Sequence, residues 1–238
     1  MSGTTAKSAF WRGLLDSTPF VLVAGPFGLL FGVLAAEAGL RLAEIMTFSV
    51  TVFAGAAQFT ALQLLREDAP TLIILASALA VNLRVAMYSA SLTPYLGGAP
   101  LWQRAFAAYF TVDQSYALSI VKFETGPEMT LPQRMAYFFG TCGLIAPLWY
   151  GATLAGAVLG AQIPESWALD FAMPIAFLAM LGPMLRTVPH VIAAAVSIAV
   201  AILGAGIPYN LGLLVAGMAG MIAGAQAEIL LQRKEARA

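Results

Sequence analysis

The sequence predicts an all-α membrane protein: a polytopic helical bundle of about eight spans, arranged as two weakly related halves. Three observations carry that expectation. Apolar residues make up 60% of the chain and charged residues only 10%, against roughly 25% charged in soluble domains, so the charges present could not cover a soluble surface. The mean hydropathy is +0.84. The apolar residues also come in runs of about 20, the length that crosses a bilayer as a helix. Lipid offers backbone groups no hydrogen-bond partner, so each span is expected to be helical. The short alternating segments of a membrane barrel do not occur in the sequence.

The elements follow in order. A polar N-terminal segment, residues 1–18, carries Lys7 and Arg12 and lacks the apolar core and small-residue cleavage site of a signal peptide. The first half, residues 19–121, holds candidate spans at Pro19–Ala38, Ala43–Leu65, Pro70–Leu92 and Trp102–Val121. A connecting loop, residues 122–134, contains Gly126, Pro127 and Pro132. The second half, residues 135–231, holds Met135–Leu159, Trp167–Leu185, Val188–Leu203 and Tyr209–Leu231. Val188–Leu203 is the shortest, and without it the count is seven. Residues 232–238 form a polar tail. With eight crossings and a cytoplasmic N-terminus, Lys7, Arg12, Arg66, Lys122, Arg134, Arg186, Arg233, Lys234 and Arg237 fall inside, and Arg41 and Arg104 outside. That bias is the positive-inside pattern and puts both termini in the cytoplasm.

The halves echo each other. Gly25–Glu44 lines up with Ala146–Glu165, with Pro26 on Pro147 and Gly39 on Gly160; Phe53–Phe59 lines up with Phe171–Phe177, and Thr93–Gly98 with Ile207–Gly212. Repeated halves are common in secondary transporters, whose sites lie near the midplane between repeats.

Several function classes drop out. Net charge is zero, which gives no hold on nucleic acid. A single cysteine, Cys142, forms no intrachain disulfide, and with one histidine, His190, which reads as interfacial, no metal cluster or cofactor site is expected. There is no glycine-rich phosphate loop and no nucleophile–histidine–acid set, so the chain does not read as an enzyme.

The polar residues inside the spans carry the chemistry. The third run places Asn82 and Arg84 near its centre, with Ser77, Tyr88, Ser89 and Ser91 around them. A charge at the bilayer centre costs about 3 to 10 kcal/mol or more, and such residues face protein or a water-filled cavity and mark solute pathways. On a regular helix Asn82, Ala86, Ser89 and Thr93 form one stripe and Ser77, Arg84, Tyr88 and Ser91 another. This helix is therefore either ringed by protein or unwound near Asn82. The fourth run adds Asp113 and Gln114, with Tyr109, Asp113 and Tyr116 on one face. An acid this deep either pairs permanently with Arg84 or, desolvated, takes and gives up a proton. In the second run Gly55 and Ala56 allow close backbone approach and Gln58 offers an amide. Gly25 and Pro26, and Pro147 and Pro174 in the second half, read as breaks within spans, which in corresponding positions point to a binding site. Gly28 and Gly32, Gly156 and Gly160, and Gly220 and Gly224 have the spacing of close helix contacts. Asp170, about a turn inside the sixth span, reads as an interfacial acid or a second proton-coupling residue. The candidate substrate-binding set is thus Asn82, Arg84, Gly55, Ala56, Gln58, Gly25 and Pro26, and the candidate proton-coupling set is Asp113 and Asp170.

Gly-Pro-x-Gly at Gly25–Gly28, FAGAAQF at Phe53–Phe59, NLR at Asn82–Arg84 followed by SASLTPYL, Asp113-Gln114, and LDFAMPIAF from Leu169 resemble the AzlC-like family. These are the large subunits of bacterial branched-chain amino acid exporters, and the resemblance runs from about Arg12 to Gln232. It implies export of leucine, isoleucine, valine and methionine across a bacterial inner membrane, driven by an ion gradient, most naturally protons. It also implies a small AzlD-like membrane subunit as partner. Gln114 stands where the family tends to carry an acid, a departure that tells against a proton-coupling role at that position. The rival readings are a passive channel for small amphipathic solutes and a membrane assembly subunit with no site of its own.

Overall fold

A computed structural model describes residues 5–160, 185, 187–207 and 211–235, without the side chains of 213, 214, 234 and 235. Asp170, Pro174, the LDFAMPIAF segment and most of the predicted sixth span lie outside the described residues. The chain divides into two compact units, residues 1–62 with 81–167, and residues 63–80 with 168–238.

Helix α8, Leu131–Gly160, is the axis of the first unit. Helix α1, Ala6–Asp16, leads through a 3-10 turn at Thr18–Phe20 into α2, Val21–Glu37. The predicted polar N-terminal segment is therefore largely helical, capped where Thr5 and Ser8 exchange side-chain bonds to each other's N–H at 3.1 and 3.0 Å. Small residues let α1 and α2 lie against α8 backbone to backbone. Gly13 meets the Tyr137 carbonyl, Gly28 meets Trp149, Gly32 the Thr153 carbonyl, and Gly156 the Leu29 carbonyl. Residue numbers rise together along both partners, so the helices run parallel. Pro26 and Pro147 sit inside α2 and α8 without interrupting them, and the breaks expected there are not found.

Breaks occur elsewhere, and they correct the second and fourth predicted spans. Residues 42–66 form two helices, α3 at Leu42–Thr51 and α4 at Gly55–Arg66. Between them β-branched Val52 leaves the helical region, at φ −120° and ψ 82°, and the Ala54 N–H closes a tight turn onto the Val52 carbonyl at 2.8 Å. The chain then reverses. The Gln58 amide donates to the Phe48 carbonyl at 3.5 Å, and Phe48 and Phe59 both pack on Phe31, with centroids 5.6 and 5.8 Å away. Had α4 continued in the direction of α3, those two rings would lie about 16 Å apart along the axis.

Helix α5, Thr71–Leu96, is continuous through Asn82, so the unwinding alternative does not hold. Its outer stripe, Leu72, Leu75, Leu79, Leu83 and Met87, is exposed, as a lipid-facing stripe must be. It runs opposite to α8: Leu92 and Leu96 share a buried cluster with Met135 and Phe138, and the Arg134 guanidinium covers the Tyr95 ring at 5.5 Å. Helix α6, Leu101–Tyr109, turns back along α5, and α7, Asp113–Thr125, reverses again. Tyr88 meets Tyr116, and Tyr95 meets Phe123 with centroids 5.5 Å apart, so α7 runs parallel to α5. The pair α6–α7 is a second hairpin.

The two hairpins enter from opposite ends of α8. Hairpin α6–α7 opens at its N-terminal end, where Phe123 contacts Tyr137 at 6.1 Å. Hairpin α3–α4 starts just past the end of α2, near Gly160, which packs against Val33. Their tips meet halfway, where the rings of Phe53 and Phe110 lie 5.8 Å apart and the Tyr109 hydroxyl donates to the Val50 carbonyl. Among the described residues, four helical runs are long and apolar enough to cross a membrane: Ala6–Glu37, Thr71–Leu96, Leu131–Gly160 and Val215–Arg233. That is fewer than the eight expected: two apolar stretches of spanning length fold back on themselves, the sixth lies almost wholly outside the described residues, and Val188–Leu203, at 16 residues, is shorter than a span. Arg104 consequently sits at the same end as Lys122 and Arg134.

In the second unit, α9 at Val188–Leu203 and α10 at Leu211–Glu235 pair. Gly220 lies against Ser197 and Ala193, and Gly224 against the Ala193 side chain, as their spacing predicts.

Candidate functional site

The site lies where the hairpin tips meet beside α5 and the middle of α8. The tip of the second hairpin is pinned by polar bonds. Ser115 Oγ accepts the Val112 N–H at 2.9 Å and lies 3.0 Å from the Phe110 carbonyl, which also accepts the buried Cys142 thiol at 3.5 Å. This starts α7 at Asp113, placing the carboxylate in the first turn, where the helix dipole favours negative charge.

Arg84, Tyr88 and Ser91 share the face of α5 that meets α7. Arg84 Nη1 lies 3.1 Å from Asp113 Oδ2, with side-chain exposures of 26% and 31%. The Tyr88 hydroxyl donates to Asp113 Oδ1 at 2.9 Å. The Tyr88 ring stacks on Tyr116 with centroids 4.2 Å apart and planes 9° from parallel, and the Tyr116 hydroxyl lies 3.2 Å from Ser91 Oγ. Both carboxylate oxygens of Asp113 are thus engaged, one by a guanidinium and one by a phenol.

Three buried polar atoms here find no partner among the described residues: Arg84 Nε, Asn82 Oδ1 and Gln58 Oε1. Each such group costs about 1–3 kcal/mol, and buried polar groups are otherwise almost always satisfied. Gln58 is completely buried at the base of the first tip. At that tip the first N–H groups of α4, those of Gly55, Ala56 and Ala57, have no intrahelical acceptor, as at any helix start.

The structure therefore joins Arg84 to Asp113 directly, while Gly55, Ala56 and Gln58 belong to the other hairpin, whose tip meets this one at Phe53 and Phe110. Gly55 also has a packing reason: a Cβ there would stand 2.9 Å from the Trp149 ring, whose Nε1 donates to the buried Ser49 hydroxyl at 3.1 Å. Gly25 and Pro26 lie within continuous α2, where a Cβ at Gly25 would meet the Leu148 side chain at an ordinary 3.8 Å. Asp170 lies outside the described residues. Sequence reasoning missed the aromatic walls of the site. Phe53 stacks near Tyr109 at 6.1 Å and meets Tyr150 at 5.5 Å, while the hydroxyls of Tyr109 and Tyr150 lie 2.8 Å apart. The available signal was the Trp149-Tyr150 pair set in the middle of an apolar run. Among the described residues no three His, Cys, Asp or Glu side chains gather as metal ligands.

Residues 19–163 match the AzlC protein family. A membrane protein of Archaeoglobus fulgidus, described as uncharacterized, is 29% identical over 76% of this chain and 78% of its own length. A Helicobacter pylori protein of the same description is 24% identical over 64% of this chain and 65% of its own. The Escherichia coli inner membrane protein YgaZ is 24% identical over 74% of this chain and 73% of its own. No solved structure matches.

Proposed function

Since the chain belongs to the AzlC protein family, whose members are associated with membrane transport, we propose that it is a secondary exporter of branched-chain amino acids. Its substrates are leucine, isoleucine and valine, with methionine as an extension. It works across a bacterial inner membrane in exchange for protons, together with a small AzlD-like subunit. The inner membrane placement draws on the similarity to the protein named inner membrane protein YgaZ.

The observation that carries the reading is the Arg84–Asp113 pair, 3.1 Å apart, set where two helical hairpins meet from opposite ends. An amino acid is a zwitterion. Inserted into the pair, it gives its carboxylate to Arg84, whose planar fork suits that group, and its ammonium to Asp113. The unpartnered Arg84 Nε and Asn82 Oδ1 and the first N–H groups of α4 supply further polar contacts, and helix starts of this kind favour carboxylates. Phe53, Phe110 and Tyr109 supply an apolar wall for the branched side chain. A proton on Asp113 removes the charge that would hold the ammonium, so proton and substrate exclude each other. Mutual exclusion at one site is the condition for exchange. Parting the tips on one side or the other gives alternating access, with Phe53–Phe110 and Tyr109–Val50 as the closed contacts.

The test is efflux from cells fed a leucine-containing dipeptide. Asp113→Asn and Arg84→Gln are each expected to cut efflux at least about tenfold, a difference of roughly 1.4 kcal/mol. Wild-type efflux from Asp113→Asn removes Asp113 from the mechanism. Counterflow of labelled leucine in liposomes, with and without the partner subunit, separates a carrier from a passive channel, which shows none.

A further inference from the structure

We infer that the end of the first unit where α1, α7 and α8 meet is a binding site for the phosphate of an anionic phospholipid. A cavity of about 170 Å³ lies there, lined by Ser8, Arg12, Lys122, Pro127, Met129 and Tyr137. At roughly 30 Å³ per water, it has room for a hydrated phosphate group. Two cations line it, from different helices. Lys122 stands over the Tyr137 ring, 5.7 Å from its centroid. Neither Arg12 nor Lys122 has an ion pair among the described residues. Of the carboxylates adjoining the lining, Asp16 is engaged by the Tyr137 hydroxyl at 2.8 Å and Glu128, between Pro127 and Met129, does not itself line the cavity; the Ser8 hydroxyl is spent on the cap of α1. The open donors are thus the guanidinium and the ammonium, and their chemistry suits a phosphate: a bidentate fork beside a point charge.

The setting selects a lipid over a free ion. Trp11 and Leu15, on the same helix as Arg12, are 53% and 63% exposed. An exposed tryptophan beside basic residues at the end of a membrane helix marks headgroup depth. Basic pockets between helices at that depth bind anionic headgroups. The inference does not depend on the transport reading.

The test uses the full chain purified in a neutral detergent, with dioleoylphosphatidylglycerol, dioleoylphosphatidylcholine and inorganic phosphate as probes. Lipid retention is read by native mass spectrometry and stabilisation by the thermal midpoint. Phosphatidylglycerol is expected to be retained and to raise the midpoint, while phosphatidylcholine and inorganic phosphate do neither. With about 1 kcal/mol per basic residue at a membrane surface, Arg12→Gln with Lys122→Gln should weaken retention at least about tenfold. Arg12→Gln alone, at an exposed position, serves if the double variant does not fold. Lys7→Gln, on the same helix and outside the cavity lining, should retain the lipid as the native chain does. Native retention in the Arg12 variants, equal loss in Lys7→Gln, or equal retention of phosphatidylcholine overturns the inference. An equal midpoint shift with inorganic phosphate overturns the lipid as its occupant.

Discussion

Gln58 is completely buried, and its Oε1 meets no donor among the described residues. Among the described residues its Nε2 makes only the long bond to the Phe48 carbonyl, at 3.5 Å. That carbonyl already accepts the Val52 N–H at 3.0 Å and the Thr51 hydroxyl at 3.3 Å, so losing the amide leaves it satisfied. Gln58→Leu, close in volume, therefore removes an unmet polar atom at little structural cost. The expected outcome is a thermal midpoint equal to or above the native one, with leucine exchange in liposomes reduced at least about tenfold. Native exchange in the variant would leave Gln58 with no part in the site. At this scale the sequence was legible where electrostatics alone decides. A guanidinium and a carboxylate placed deep in apolar runs must find each other, and Arg84 and Asp113 do. The isolation of Gln58 was not legible, because it depends on α4 doubling back beside α3.

The hairpins show why spans were miscounted. Signals for both breaks stand in the sequence. Thr51 and Val52 are β-branched ahead of Gly55, and Thr111, Val112, Asp113 and Ser115 read as a helix start with an acid in its first turn. Hydropathy measures the length of an apolar run and carries no sign of its direction, so a run that reverses halfway counts as a crossing. The glycine spacing was read correctly, because it depends only on the local face of a straight helix. It also yields a paired prediction within α8. A Cβ at Gly156 would collide with the Leu29 carbonyl, whereas one at Gly151 would meet nothing within 4 Å. Gly156→Ala should destabilise by about 1–3 kcal/mol through overpacking. Gly151→Ala should be neutral or stabilise by up to about 1 kcal/mol through helix propensity. Thermal unfolding of the two variants in one detergent measures the contrast, and equal midpoints would contradict the close packing of α2 on α8.

Taken across the first unit, helix α2 with hairpin α3–α4 and helix α5 with hairpin α6–α7 repeat one pattern in opposite directions, an arrangement that brings two hairpin tips to one midplane. The sequence echo paired Gly25–Glu44 with Ala146–Glu165 instead. Within the described residues those stretches are neighbours, since α2 and α8 lie side by side and both need small residues at the contact. Non-crossing hairpins also redistribute the basic residues. Lys7, Arg12, Arg104, Lys122 and Arg134 gather at the end where α6–α7 opens, and Arg41 lies toward the other. By the positive-inside bias, the first end is expected to face the cytoplasm. Continuous crossings would have put the start of α6 outside, so the two topologies disagree about the side on which exposed Leu101 lies. Leu101→Cys should react with a membrane-impermeant maleimide in inverted vesicles and stay protected in intact cells. Leu42→Cys, at the start of α3, should show the reverse. Background is low because the native thiol, Cys142, is 4% exposed. Labelling of Leu101→Cys from the outside would restore α6–α7 as a span and separate the tips on which the exchange site depends.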